Sequence, residues 1–148
     1  MKGQRMQRLV MTRTVKWGDC DPAGIIYTPR VFDYITEAVE AWFRDVAGIA
    51  WMSLIGEHRL GAPTVHTSVD FLTPMAPDLQ LRVAVLLEKI GGSSLTFRIV
   101  GEDAAGTRYF EGKLVSVMTD FKARRSVPIP DEVRARAEAY QRASNAAG

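Results

Sequence analysis

The 148-residue chain holds one cysteine, Cys20, and two histidines, His58 and His66. A lone cysteine excludes an intramolecular disulfide, and so few thiol and imidazole groups exclude a metal cluster of standard spacing. That usage points to a reducing compartment, so a cytoplasmic location is expected. No apolar run approaches the roughly 20 residues that cross a bilayer. Polar residues interrupt Leu9-Val10-Met11 on both sides, so the basic N-terminus reads as neither signal peptide nor membrane anchor. A dense basic face is also missing. The net charge of +2 comes from Lys2, Arg5, Arg8, Arg13 and Lys16 near the start, and the other 14 basic and 17 acidic residues intermingle. Nucleic acid is therefore not an expected partner. Repeats, low-complexity tracts and linkers are absent too, so residues 1–148 read as one domain. What the chain does have is 47% hydrophobic residues, enough for an ordinary globular core without covalent staples.

Residues 6–17 are rich in Val, Thr and Trp without a breaker, which predicts a strand. From Pro29 the period changes. Phe32, Ile35, Val39, Trp42, Phe43 and Val46 fall on one helical stripe, with Asp33, Glu37, Glu40 and Arg44 opposite. Thr28-Pro29 fits an N-cap followed by proline in the first turn, and Gly48 fits the stop. A short helical piece is expected over 51–57. Four strand-like runs follow Gly61-Ala62-Pro63. In the first, Val65, Thr67, Val69 and Phe71 face one way and His66, Ser68 and Asp70 the other. Leu79 to Leu87, Leu95 to Ile99 and the long run 107–119 follow, separated by Gly91-Gly92 and Ala105-Gly106. Residues 131–142 read as a charged C-terminal helix. Short links favour antiparallel pairing, and one greasy helix lying on such a sheet is an α+β architecture.

Chemistry concentrates in Gly18-Asp19-Cys20-Asp21-Pro22-Ala23-Gly24-Ile25-Ile26-Tyr27. Two carboxylates stand just ahead of a helix N-terminus, whose unpaired N–H groups and partial positive charge can polarise a carbonyl oxygen. A carboxylate beside such a terminus can attack the carbon or activate water. Aspartates also commonly cap turns, and spacing alone leaves that plainer role open for both.

Gly18-Asp19-Cys20-Asp21-Pro22-Ala23-Gly24-Ile25 resembles the signature of the 4-hydroxybenzoyl-CoA thioesterase family. The likeness extends over roughly residues 8–135 and includes Val69-Asp70-Phe71-Leu72-Thr73-Pro74 and Ser94-Leu95-Thr96-Phe97. It implies a hotdog fold, an antiparallel five-stranded sheet wrapped around a long central helix. It also implies an acyl-CoA thioesterase, with Asp21 as nucleophile or general base and the Thr28 N–H as the group that polarises the carbonyl. Tyr27, Thr36 and Trp51 would lie near the acyl group, and Lys89 and Ser94 near coenzyme A. Coenzyme A is part of the substrate, and no metal or other cofactor is implied. The family assembles as homotetramers, dimers of dimers with active sites between subunits, so a homotetramer is expected here. Two positions depart from the pattern. Thr36 stands where an acidic residue would meet a 4-hydroxyl, and a threonine offers that group no charge-assisted bond. Lys89-Ile90-Gly91-Gly92-Ser93-Ser94 replaces a run richer in Arg and Lys.

The acyl group expected is therefore aromatic, of the 4-hydroxybenzoyl or benzoyl type, with a short or medium aliphatic group as the alternative. A non-catalytic acyl-CoA-binding protein is a further alternative, against which Asp21 stands. A dehydratase of the same fold would need a histidine base, and residues 18–50 contain none. Cys20 lies between two carboxylates, which disfavours a thiolate, so packing is its expected role. His66 and Asp70 are about 13 Å apart along a strand, too far to pair. His58 reads as solvated. Gly91-Gly92-Ser93-Ser94 reads as a hairpin rather than a phosphate cradle. Lys122, Arg124 and Arg125 either meet the phosphates of coenzyme A or form a solvated strand exit.

Overall fold

The structure, a computed structural model, describes residues 8–146. Its framework is a five-stranded antiparallel sheet. In chain order the strands are β1 (Leu9–Thr14), β3 (Thr64–Phe71), β4 (Gln80–Ile90), β5 (Ser94–Glu102) and β6 (Arg108–Val117), arranged as β1-β4-β5-β6-β3. The helix α1 (Arg30–Asp45) lies in the curve of this sheet. Leu81, Val83, Val85, Leu87, Leu95, Phe97, Ile99, Phe110 and Leu114 close on Val31, Ile35, Ala38, Val39 and Trp42, all of them buried. Gly112 allows the closest approach, because a Cβ there would sit 2.6 Å from Ile35 Cδ1.

The predicted helical stripe is core at Ile35, Val39, Trp42 and Phe43, and the buried face is wider than the stripe. Phe32 and Val46 are only partly buried, whereas Val31, Tyr34 and Ala38 are core. A helix held in a curved sheet buries a face wider than a single stripe. Thr28 is not a side-chain cap, and Arg30 rather than Pro29 opens the helix. The carbonyls of Tyr27, Thr28 and Pro29 accept the N–H groups of Arg30, Val31 and Phe32 at 2.8, 3.3 and 3.1 Å, so a cap is unnecessary. Gly48 ends the helical segment with φ +74°, as its position suggested.

The first strand spans Leu9–Thr14 rather than 6–17. Residues 6 and 7 lie outside the described part, and Trp17–Asp19 turns into a 3₁₀ helix. The short helix α2 covers Trp51–His58. A second sheet, unforeseen, joins β2 (Leu60–Gly61), β7 (Thr119–Asp120) and β8 (Arg125–Ser126). Strands of two residues leave no periodicity to detect.

The helix α3 spans Asp131–Ala146, four residues beyond the predicted end at 142, and one face of it is core. Val133, Ala137, Tyr140 and Ser144 are buried. Register explains its place. Leu9 of β1 pairs with Val85, so β4 runs on past its neighbour with free backbone groups. Side chains of α3 satisfy them. Tyr140 Oη donates to the Val85 carbonyl and accepts from Leu9 N–H at 2.9 Å. Gln141 Nε2 donates to the Glu88 carbonyl at 3.0 Å, and Arg134 Nη2 to Gly91 and Gly92 at 2.7 and 3.0 Å.

The other edge strand, β3, is left open. A bulge at Val65 interrupts the expected alternation after Thr64. Val65, Phe71 and the adjoining Leu72 are 61%, 46% and 52% exposed, an unusual amount of apolar surface for an unpaired edge.

Candidate active site

Residues 19–27 fold back on themselves as a narrow hairpin. Tyr27 N–H donates to the Asp19 carbonyl at 2.8 Å, Cys20 bridges Ile26, and Asp21 N–H donates to Ile25 at 2.9 Å. The reversal needs Gly24, whose φ of +79° is left-handed and which donates to the Asp21 carbonyl at 3.0 Å. Asp21 therefore stands at the shoulder of the tip. Its Oδ1 accepts Ala23 N–H at 2.9 Å, so the turn-forming role is real. Its Oδ2 accepts no hydrogen bond among the described residues, and the side chain is half-buried. One oxygen is anchored and the other is open.

Asp19 is held differently. Its Oδ2 accepts the hydroxyl of buried Tyr34 at 2.8 Å and Lys16 N–H at 3.2 Å. Burial works to raise its pKa, but these two donors, with Arg13 and Arg30 nearby, outweigh it and hold the carboxyl below its ordinary value. Burial, and then the bond to Asp19, push the Tyr34 hydroxyl well above its ordinary range. The Arg13 guanidinium lies 4.4 Å from the Tyr34 ring centre and pairs with Glu37. Asp19 Oδ2 is thus anchored by two donors, whereas Asp21 Oδ2 has none among the described residues.

Cys20 donates weakly to the Lys16 carbonyl at 3.5 Å. Burial first, then Asp19 and Asp21, push its thiol up, which removes thiolate character. Thr28 follows the hairpin at the mouth of α1, and its N–H donates to no acceptor among the described residues. A cleft of about 240 Å³ opens beside it, lined by Ile25, Ile26 and Thr28 and by Phe71 to Met75 at the end of β3.

Thr36 and Trp51 come together elsewhere. They line a pocket of about 260 Å³ with Leu54, Ile55, Gly61, Ala62, Pro63, Thr64 and Phe121. Trp51 leans on Phe43 of the core at 5.9 Å between ring centres, and its indole Nε1 is buried with no partner among the described residues. The wall carries no charge. The two cavities share no residue and lie at opposite ends of β3, at Thr64 and at Phe71, about 23 Å apart along the strand.

Tyr27 is 53% exposed and lines neither cavity. Lys89 is exposed and Ser94 part-buried on either side of the β4–β5 turn, and neither lines a cavity with Thr36 or Thr28. Within that turn Gly91 N–H donates to the Ser94 carbonyl at 2.7 Å, and the glycine carbonyls face Arg134. It folds as a hairpin between β4 and β5. His66 Nε2 meets Ser68 Oγ at 3.2 Å on the exposed strand, and no hydrogen bond joins it to Asp70 among the described residues. Lys122, Arg124 and Arg125 sit on the β7–β8 hairpin and make no ion pair among the described residues, while Asp120 Oδ1 is occupied by the N–H groups of Lys122 and Ala123 at 2.9 Å.

Three contributors escaped the sequence reading. Tyr34 and Arg13 brace the loop, and their link depends on an α1–β1 approach that no spacing encodes. Phe121 lines the Thr36–Trp51 pocket; its one sequence signal is an aromatic ring among turn residues.

The profile of the thioesterase-like superfamily matches residues 15–137. A 1,4-dihydroxy-2-naphthoyl-CoA hydrolase of Nostoc punctiforme is 28% identical over 123 residues, which cover 82% of this chain and 80% of that one. The crystal structure of a thioesterase superfamily protein from Jannaschia sp. CCS1 superposes with a TM-score of 0.80 at 33% identity, covering 88% of this chain and 91% of the other. A gentisyl-coenzyme A thioesterase superposes with a TM-score of 0.76 at 25% identity, covering 85% and 99%. The sheet wrapped on α1 is the hotdog fold that the loop's resemblance implied. The narrower tie to 4-hydroxybenzoyl-CoA thioesterases gives way to this wider superfamily.

Proposed function

This chain belongs to the thioesterase-like superfamily and is a thioester hydrolase; from that premise we propose that its substrates are hydroxylated aromatic acyl-CoA thioesters. The observation that carries the reading is the contrast between the aspartates. Asp21 keeps an open carboxylate oxygen on a loop that Asp19 locks to α1, close in sequence to the unpartnered Thr28 N–H. In this account the Thr28 N–H and the positive end of α1 take up the charge that develops on the thioester oxygen. Asp21 attacks the carbonyl carbon to give a mixed anhydride and release the CoA thiolate, and water then hydrolyses the anhydride. Alternatively it removes a proton from the attacking water. Either route ends in the free acid and coenzyme A.

The acyl assignment rests on the Thr36–Trp51 pocket. Its wall is aromatic and aliphatic, its polar side chains are Thr36 and Thr64, and it holds no charge. Such a wall suits a flat ring with neutral hydroxyls and disfavours an acyl chain ending in carboxylate or amine. The relatives named above act on dihydroxynaphthoyl and gentisyl thioesters, rings of this kind.

The Asp21 loop, through Ile25 and Ile26 in the Thr28 cleft, and this pocket lie at opposite ends of β3, which supports an active site between subunits. Antiparallel pairing of β3 with its copy sets Thr64 of one chain near Phe71 of the other. It brings the acyl pocket of one subunit to the Asp21 loop of its neighbour and covers Val65, Phe71 and Leu72. We take the assembly to be a homotetramer built from such dimers. For the nucleotide, Lys122, Arg124 and Arg125, which follow the pocket residue Phe121 on the β7–β8 hairpin, offer the phosphates a cationic surface, with Lys89 and Ser94 at the β4–β5 turn as the other contacts. The test is free-thiol release from 4-hydroxybenzoyl-, benzoyl-, dihydroxynaphthoyl- and hexanoyl-CoA. Fastest turnover on a hydroxylated aromatic thioester supports the proposal, and fastest turnover on hexanoyl-CoA overturns the substrate class.

A further inference from the structure

Phe121 lies on the β7–β8 hairpin with its ring over Gly61, and nothing in the loop chemistry accounts for it. Gly61 is β2, paired with Thr119 of β7, and its backbone does not need glycine, since its φ is not left-handed. The reason for glycine is steric. A Cβ at Gly61 would stand 2.1 Å from Cζ and 2.2 Å from Cε2 of Phe121. The ring occupies the space a side chain would take. Both residues line the Thr36–Trp51 pocket, so ring and glycine together form one wall of it. Phe121 is 49% exposed, and β7–β8 is held by only two residue pairs. This wall is attached to the sheet more loosely than Trp51, which is braced by Phe43.

We propose that Phe121, seated on Gly61, is a specificity-determining residue that sets the largest ring the acyl pocket admits. This rests on the aromatic acyl-CoA reading above and adds the group that decides ring size. The physical reason is volume: a pocket closed by a ring on a short hairpin loses a whole wall when that ring is removed. Discrimination by apolar fit is worth roughly 10- to 200-fold for a small change in shape.

The experiment measures kcat/KM for benzoyl-CoA and naphthoyl-CoA in the wild type and three variants. Phe121→Ala should raise the naphthoyl-to-benzoyl ratio about 10-fold, and Phe121→Leu should fall between it and the wild type. Gly61→Ala adds a methyl group where the ring rests. It should force the ring towards the cavity and lower that ratio. Placed on Phe121→Ala, the same change should have a much smaller effect, because no ring remains to displace. An unchanged ratio in Phe121→Ala, or equal effects of Gly61→Ala in both backgrounds, overturns the assignment. Melting curves identify a variant that has failed to fold, and Phe121→Leu then carries the comparison. Wild-type protein that hydrolyses neither of these nor 4-hydroxybenzoyl- or dihydroxynaphthoyl-CoA rejects the aromatic substrate reading itself, which is a separate outcome.

Discussion

Tyr34→Phe removes one oxygen atom and asks whether the Asp21 loop is held from behind. The Tyr34 side chain is buried, and its hydroxyl donates to Asp19 Oδ2 at 2.8 Å. A hydrogen bond to a charged acceptor contributes about 1.5–3 kcal/mol. Asp19 is part-exposed and keeps its Lys16 N–H bond, so a loss of about 1–2 kcal/mol is expected. For a chain of this size that lowers the melting temperature by roughly 3–6 °C. The loss has a pH signature. The folded pKa of Asp19 lies below its unfolded value, so its stabilisation is complete above the unfolded pKa, about 3.9, and disappears as pH falls through the folded one. The gap between wild type and Tyr34→Phe should therefore be widest at pH 7 and narrow towards pH 3. Catalysis should suffer as well, because Asp21 is two residues from the released anchor, and a misplaced reacting group can cost up to about 100-fold. We expect kcat to fall by about 10-fold with KM little changed. Calorimetry across that pH range and steady-state kinetics at pH 7 make the test. An unchanged gap at pH 3, or an unchanged kcat, would refute the idea that Tyr34 positions the loop.

Tyr140→Phe should cost about 2–3 kcal/mol in denaturant unfolding, since it strands the Leu9 N–H and the Val85 carbonyl, while kcat per folded molecule stays near wild type. Trp51→Ala should reduce kcat/KM more for benzoyl- and 4-hydroxybenzoyl-CoA than for hexanoyl-CoA; equal losses on all three would make Trp51 scaffold. Light scattering at micromolar concentration should show an oligomer of the 16.4 kDa chain, and a monomer alone would contradict a site shared between subunits.

The large elements were legible because each carried its own period. The four strands from Thr64 to Val117 alternate, and α1 repeats its apolar residues every three or four positions. The loop was legible because Asp, Pro and Gly have few uses in that order. Long-range geometry was not. The depth of α3 depends on how far β4 outruns β1, a matter of register rather than composition. The β2-β7-β8 sheet has strands too short for a pattern, so Phe121 carried no visible role. Tyr34 looked like an ordinary helix residue until the fold set its hydroxyl against Asp19. Thr36 and Trp51 line one pocket, and its separation from Thr28 by the length of β3 is a matter of topology that no local pattern carries.

The assignment of the chemistry to Asp21 meets its most direct test in the turnover of Asp21→Asn beside Asp19→Asn. Asparagine at 21 can still accept the Ala23 N–H through its Oδ1, so the turn and the fold should survive with little loss of melting temperature. An amide is neither a nucleophile nor a base near neutral pH, so kcat should drop by at least about 100-fold. Asparagine at 19 can still accept from Tyr34 and Lys16, and its cost should appear mainly as stability, with kcat reduced far less. Near-wild-type turnover by Asp21→Asn, or an inactive but folded Asp19→Asn, would contradict the account.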